Sequence, residues 1–83
     1  MSNTEIASKL QEWAQTLRRQ HDNLYRVKAY RRAAETLMRL DRPIEDLVHE
    51  RGRNALEELP GIGSHLAKAI THFVETGEWQ ARS

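Results

Sequence analysis

The segment Leu59-Pro60-Gly61-Ile62-Gly63-Ser64-His65-Leu66-Ala67-Lys68-Ala69-Ile70 gathers the residue types that can capture an anion with the main chain. Pro60 stops a preceding helix, and Gly61 and Gly63 are expected to take backbone angles closed to other residues. Ile62, between them, is an apolar plug that turns into the core and locks the bend. The N–H groups of Gly61, Gly63 and the first turn after Ser64 then point outward at the positive end of a helix dipole, where a phosphate is stabilised. Bare glycines let that phosphate approach the backbone closely. A second source of anion affinity lies upstream: Arg18, Arg19, Arg26, Lys28, Arg31 and Arg32 stand against Asp22 alone.

Other chemistries lack their residues. A Walker-type nucleotide loop needs a longer glycine spacing followed by Lys-Ser/Thr, which is absent. There is no cysteine, hence no thiolate metal site, disulfide or thiol nucleophile. His65 and His72 lie two helical turns apart, ~10 Å in rise, too far to share an ion without other ligands, and His21 and His49 add no set. Asp41, Glu45, Asp46 and Glu50 read as caps and solvated charges.

The elements that must position these groups are helical. Ile6, Leu10, Trp13 and Leu17, widened by Ala7 and Ala14, make one amphipathic stripe behind a Ser2 or Asn3 cap, with Glu5 in the first turn. His21-Asp22-Asn23 reads as a turn. A second helix runs from Leu24 or Tyr25 to Leu40, with Val27, Tyr30, Ala33, Ala34 and Leu37 inward and the basic residues between them. Asp41 is the expected cap of a third helix, with Pro43 in its first turn and Ile44, Leu47 and Val48 facing in. A short helix from Asn54 to about Glu58 leads into the bend. A last helix from Ser64, its expected cap, to Thr76 buries Leu66, Ala67, Ile70, Phe73 and Val74 before Gly77 stops it. Trp79 beyond it reads as a lid on the bundle or the start of a linker. The fold class is therefore all-α: a bundle of four main helices plus a short one, a single domain over 3–77, a hairpin motif over 54–76 and a tail over 78–83.

Composition sets outer limits. Eighty-three residues, 39% hydrophobic and 30% charged with a net charge of +1, suffice for one modest core. The neutral total hides a division, because Asp41 to Glu58 holds six acids against three arginines. A basic patch beside an acidic one suits a polyanion-facing surface with a solvated back. No apolar run approaches the ~18 residues that span a bilayer, and the N-terminus lacks signal-peptide character, so a cytoplasmic location is expected, nucleoid-associated in a bacterium.

Residues Leu59 to Ile70 resemble the DNA-binding helix-hairpin-helix. The wider chain, from about Ile6 to Trp79, resembles the small N-terminal domain of family X DNA polymerases, the DNA polymerase beta type. Carrying that resemblance are Arg26-Val27-Lys28-Ala29-Tyr30-Arg31-Arg32-Ala33-Ala34, the LPGIG bend and the ending Phe73-Val74-Glu75-Thr76-Gly77. It implies a DNA-repair module that grips gapped, nicked or 5′-phosphorylated ends. The implied phosphate pocket uses Arg26, Tyr30 and His65, flanked by Arg31 and Arg32, with Gly61, Ile62, Gly63 and Ser64 supplying main chain; Lys68 reads as a surface or phosphate-contacting residue. It also implies a monovalent cation, Na+ or K+, on the main-chain carbonyls of Glu57, Leu59 and Ile62, and no other cofactor.

Some relatives in that family remove a 5′-deoxyribose phosphate through a lysine Schiff base. The matching position here is Ala69, and Lys68 lies about 100° around the helix from it, so no catalytic residue is expected. Polymerisation needs paired carboxylates on a separate domain. The expected function is sequence-non-specific backbone binding by a monomer, beside a separate polymerase or nuclease subunit where chemistry is required. Main-chain phosphate capture does not depend on the sugar, which leaves RNA open next to DNA. Two alternatives stand: a protein-interaction scaffold docking through an apolar patch near Trp79, and an unusual lyase using Lys68.

Overall fold

The computed structural model describes residues 1–80. Its first helix, α1 (Asn3–Arg19), starts from a reciprocal cap: Ser2 Oγ accepts from Glu5 N at 3.1 Å, and the Glu5 carboxylate accepts from Ser2 N at 3.0 Å. The Ser2 backbone N–H, and after it the Ser2 hydroxyl, hold the Glu5 carboxyl below the usual carboxylate range. A depressed value means that the cap's contribution is present above the ordinary glutamate range and is lost as pH falls through the depressed one. Amide exchange at Glu5, corrected for intrinsic rates, is therefore expected to stay flat on acidification and rise only at that point. In Glu5→Gln the step should vanish.

α1 ends at a left-handed residue, His21 (φ 58°), with Asp22 N donating to Leu17 O and His21 N to Arg18 O. That is the double bond of a Schellman stop, with histidine where glycine is usual. Asn23 Oδ1 then accepts from Tyr25 N and opens α2 (Leu24–Arg39). Joined by so short a turn, α1 and α2 pack along their lengths through Ile6, Leu10, Ala14 and Leu17 against Val27, Tyr30, Ala34 and Leu37, all buried. The alanines Ala7, Ala14, Ala33 and Ala34 keep the two backbones close.

α3 (Ile44–Arg51), α4 (Arg53–Glu57) and α5 (Ser64–Thr76) close the bundle, and no strand occurs among the described residues. Ile44, Leu47, Val48, Leu56, Ile62, Leu66, Ile70 and Phe73 join the same core. The cap of α3 departs from the sequence expectation. Asp41 does not serve it, and Pro43 sits in the cap position without a side-chain bond of its own. Instead Asn3, at the start of α1, accepts from Ile44 N at 2.7 Å and donates to Arg42 O at 2.8 Å. The α4 bounds sit one residue earlier than expected, after Gly52 (φ 74°).

Gly77 stops α5 in the left-handed region, its N–H donating to Phe73 O. Trp79 then folds back: its ring lies edge-on to Phe73 at 5.6 Å and to Tyr30 at 6.3 Å. Of the two roles open to Trp79, the lid is the one adopted, so the packed unit runs past Gly77. The remainder of the tail expected over 78–83, residues 81–83, lies outside the described residues. No helix among the described residues is long and apolar enough to cross a membrane.

Candidate nucleic-acid interface

The bend between α4 and α5 is a turn of type II form. Pro60 and Gly61 are its central residues, Gly61 has φ +79°, and Ile62 N donates to Leu59 O at 3.2 Å. Gly61 is required twice over, since a Cβ there would also meet the Arg32 stem at 3.1 Å. Thr36 Oγ1 donates to Pro60 O at 2.8 Å and ties the bend to α2. Ile62 is the expected plug, 3% exposed; it serves the surface only through its main chain.

Gly63 departs from expectation in an informative way. Its backbone (φ −87°, ψ −175°) is extended and open to any residue, and a Cβ there would meet nothing within 4 Å. Conformation does not demand glycine at this position, and the main chain beside it is unobstructed. Ser64, the expected cap, lies inside the first turn of α5 instead, with Gly63 in the cap position and no side chain accepting there. Among the described residues the N–H groups of Gly61, Gly63, Ser64, His65 and Leu66 donate no hydrogen bond. α1, α2 and α3 each have a side-chain acceptor at this end. α5 presents bare donors and the positive end of its dipole.

These donors face a groove of about 620 Å³ between the bend and α2, lined by Tyr25, Arg26, Lys28, Ala29, Tyr30, Arg32, Gly61, Gly63, His65 and Leu66. No carboxylate of the described residues lines it. Arg32 lies over Gly61 and has no acidic partner among the described residues. Arg26 is partly committed, since its Nη1 sits 3.0 Å from Asp22 Oδ2. A phosphate there competes with an existing surface ion pair of small net worth.

Tyr30 does not fit the role of a phosphate-contacting hydroxyl in this conformation. The residue is 2% exposed, and its Oη is buried without a hydrogen-bond partner among the described residues. Burial raises its pKa, with neighbouring Arg26 opposing the rise. It forms the floor beneath Arg26, covered in part by Trp79. Trp79, being half-buried, does not head an open apolar patch; the large exposed apolar side chains are Leu24, Tyr25 and Met38. The periodic pattern alone assigns no role to Tyr25, which is 82% exposed on the groove rim. Its signal is an aromatic ring standing off the apolar stripe in the first turn of a basic helix.

Two of the residues expected to contact DNA lie elsewhere. Lys68 opens onto a separate groove of about 520 Å³ with Arg53, Ala69, Thr71, His72 and Glu75, which meets the first groove only at His65. Arg31 faces α1, on the other side of α2. The cation set passes a test of fit. Among the described residues the Glu57 and Ile62 carbonyls receive no hydrogen bond and that of Leu59 receives one, from Ile62, so all three oxygens retain lone pairs for a hard monovalent ion. Such an ion would offset repulsion between these carbonyls and a nearby phosphate. No group of acidic or histidine side chains among the described residues is arranged to hold a metal.

The last of the five helices thus offers uncapped amides beside a basic groove that no carboxylate of the described residues lines. The chain belongs to the helix-hairpin-helix domain family, whose model matches residues 1–79. Domains of this family generally take part in sequence-non-specific DNA binding. No curated protein matches the chain.

Proposed function

We propose that this domain holds one strand of DNA at a gap, nick or 5′-phosphorylated end and performs no chemistry itself. The carrying observation is the convergence of five unpartnered main-chain donors with Arg32, Lys28, Arg26 and His65 on a groove without a carboxylate. A backbone phosphate seated on the Gly63–Leu66 amides leaves the next nucleotide beside the arginines, whose planar forks suit a terminal phosphate. The exposed Tyr25 ring offers a stacking face to an unpaired base at that break. The resemblance to the N-terminal domain of family X polymerases supports this choice of DNA end, as does the matching Arg26–Ala34 run. The non-enzymatic reading rests on Ala69, 5% exposed at the position of the lyase lysine, and on Lys68 lying in another groove. Polymerase or nuclease action then belongs to a separate subunit.

Chemical-shift mapping during titration with gapped, nicked and blunt DNA tests the reading. The largest shifts are expected at Gly61, Gly63, Ser64, His65 and Tyr25, with gapped 5′-phosphorylated DNA bound most tightly. Affinity should fall steeply with salt, from a starting point near the ~10⁻⁴–10⁻⁶ M of non-specific binders, because release of counterions drives binding. Shifts confined to α3 and α4, or equal affinity at low and high salt, would remove the groove from the interaction.

A further inference from the structure

A third groove, of about 330 Å³, runs between α1 and α2 and is lined by Gln11, Gln15, Arg18, Val27, Arg31 and Glu35. Neither Arg18 nor Arg31 has an acidic partner within ion-pair distance among the described residues. Glu35 borders the groove without engaging either. Two guanidinium groups without an acidic partner and two carboxamides, each able to donate through its NH2, line one cleft. That donor set fits a phosphate oxygen, and the core has no use for it.

The position of this groove gives it a meaning. Arg31 and Arg32 are neighbours in the chain, so they project about 100° apart around α2. Arg32 reaches the hairpin groove while Arg31 reaches the α1 groove, leaving Lys28 on the ridge between. The two grooves thus lie on adjoining faces of a single helix, itself ~10–12 Å across with side chains. The strands bordering the major groove of B-DNA stand ~12 Å apart. We infer that the α1/α2 groove receives a backbone phosphate of the second strand while the hairpin holds the first. α2 then lies along the duplex beside the break, and the ligand is a duplex end adjoining a gap. This rests on the proposed function for the hairpin groove and specifies the far side of its ligand.

The test compares the wild type, the Arg18→Gln/Arg31→Gln double variant and Gly63→Val. Each is titrated across a salt series with a gapped 5′-phosphorylated duplex and with a single-stranded oligonucleotide. The double variant is expected to bind the gapped duplex about tenfold more weakly, with a salt slope shallower by about one, and to bind the single strand as the wild type does. Glu35→Gln, which removes the one carboxylate of the groove, should tighten duplex binding about threefold. Unchanged duplex affinity in the double variant overturns the inference while a defective Gly63→Val keeps the hairpin reading alive. Equal weakening on duplex and single strand also overturns it, since both grooves would then hold the same strand. Normal binding by Gly63→Val removes the hairpin from the complex, and the two-sided grip with it.

Discussion

Gly63→Val is expected to bind gapped DNA about a hundredfold more weakly than the wild type while folding normally. The two halves of that outcome have separate causes. Gly63 has extended backbone angles that valine readily adopts, and its Cβ direction points into open space. The folded state therefore loses at most about 1 kcal/mol, the difference between glycine and a β-branched residue at a helix cap. The open space that makes valine harmless to the fold is where a phosphate must sit to reach the amides of Gly63 to Leu66. Displacing it forfeits at least two charge-assisted hydrogen bonds at roughly 1.5–3 kcal/mol each, which is a factor of about a hundred or more in the dissociation constant. Gly63→Ala, with one methyl, should fall between. Thermal unfolding and fluorescence anisotropy on the same samples decide it: a normal Tm with normal affinity would remove the bend from the binding mechanism. Gly61 serves as the contrasting control. Its φ of +79° and the Arg32 stem 3.1 Å from any added Cβ make a substitution there a folding defect first.

That difference between two glycines two residues apart shows what a sequence conceals. Both are visible as glycines in a bend; only coordinates separate the one needed for its angle from the one needed for its emptiness. Helix number, order and inward faces were legible, because the stripes Ile6–Leu17, Val27–Leu37 and Leu66–Phe73 repeat at helical spacing and are buried but for Trp13, which with the expected Val74 is half-buried. The LPGIG bend was legible for the same local reason, since Pro60, Gly61 and the Ile62 plug act within one turn. Everything set by contacts between distant segments was not. Arg31 and Arg32 look equivalent in a basic run, yet a rotation of 100° sends them to different grooves. Tyr30 looks like a phosphate ligand until Trp79, far along the chain, is found against it. Periodicity likewise ranks Tyr25 as noise, although the fold leaves it exposed on the groove rim.

The cap of α3 turns the same limitation into a measurable effect on stability. Local rules favour Asp41, an acidic residue just ahead of Pro43 and Ile44. In the structure Asn3 takes that place across the fold, its carboxamide oxygen accepting from Ile44 N and its nitrogen donating to Arg42 O. One side chain thereby stitches the start of α1 to the start of α3, beside the bond that the Met1 ammonium donates to Glu45 Oε1 at 2.6 Å. Asn3→Ala leaves the part-buried Ile44 N–H without an acceptor and removes both bonds. A lost cap costs ~0.5–2 kcal/mol and a second hydrogen bond ~0.5–1.5 kcal/mol, which together amount to about 2 kcal/mol. Against a total stability of roughly 0.05–0.15 kcal/mol per residue, that is a large fraction for a domain of this size. Near 4–8 °C per kcal/mol for domains of 60–100 residues, the Tm should fall by about 8–16 °C. Asp41→Ala, by contrast, should move it by no more than an ordinary surface substitution, within about 0.5 kcal/mol. DNA affinity of the folded Asn3→Ala protein should be unchanged, because α3 begins away from both basic grooves. The reverse ranking of the two variants in a thermal melt would return the cap to Asp41 and dissolve the link between α1 and α3.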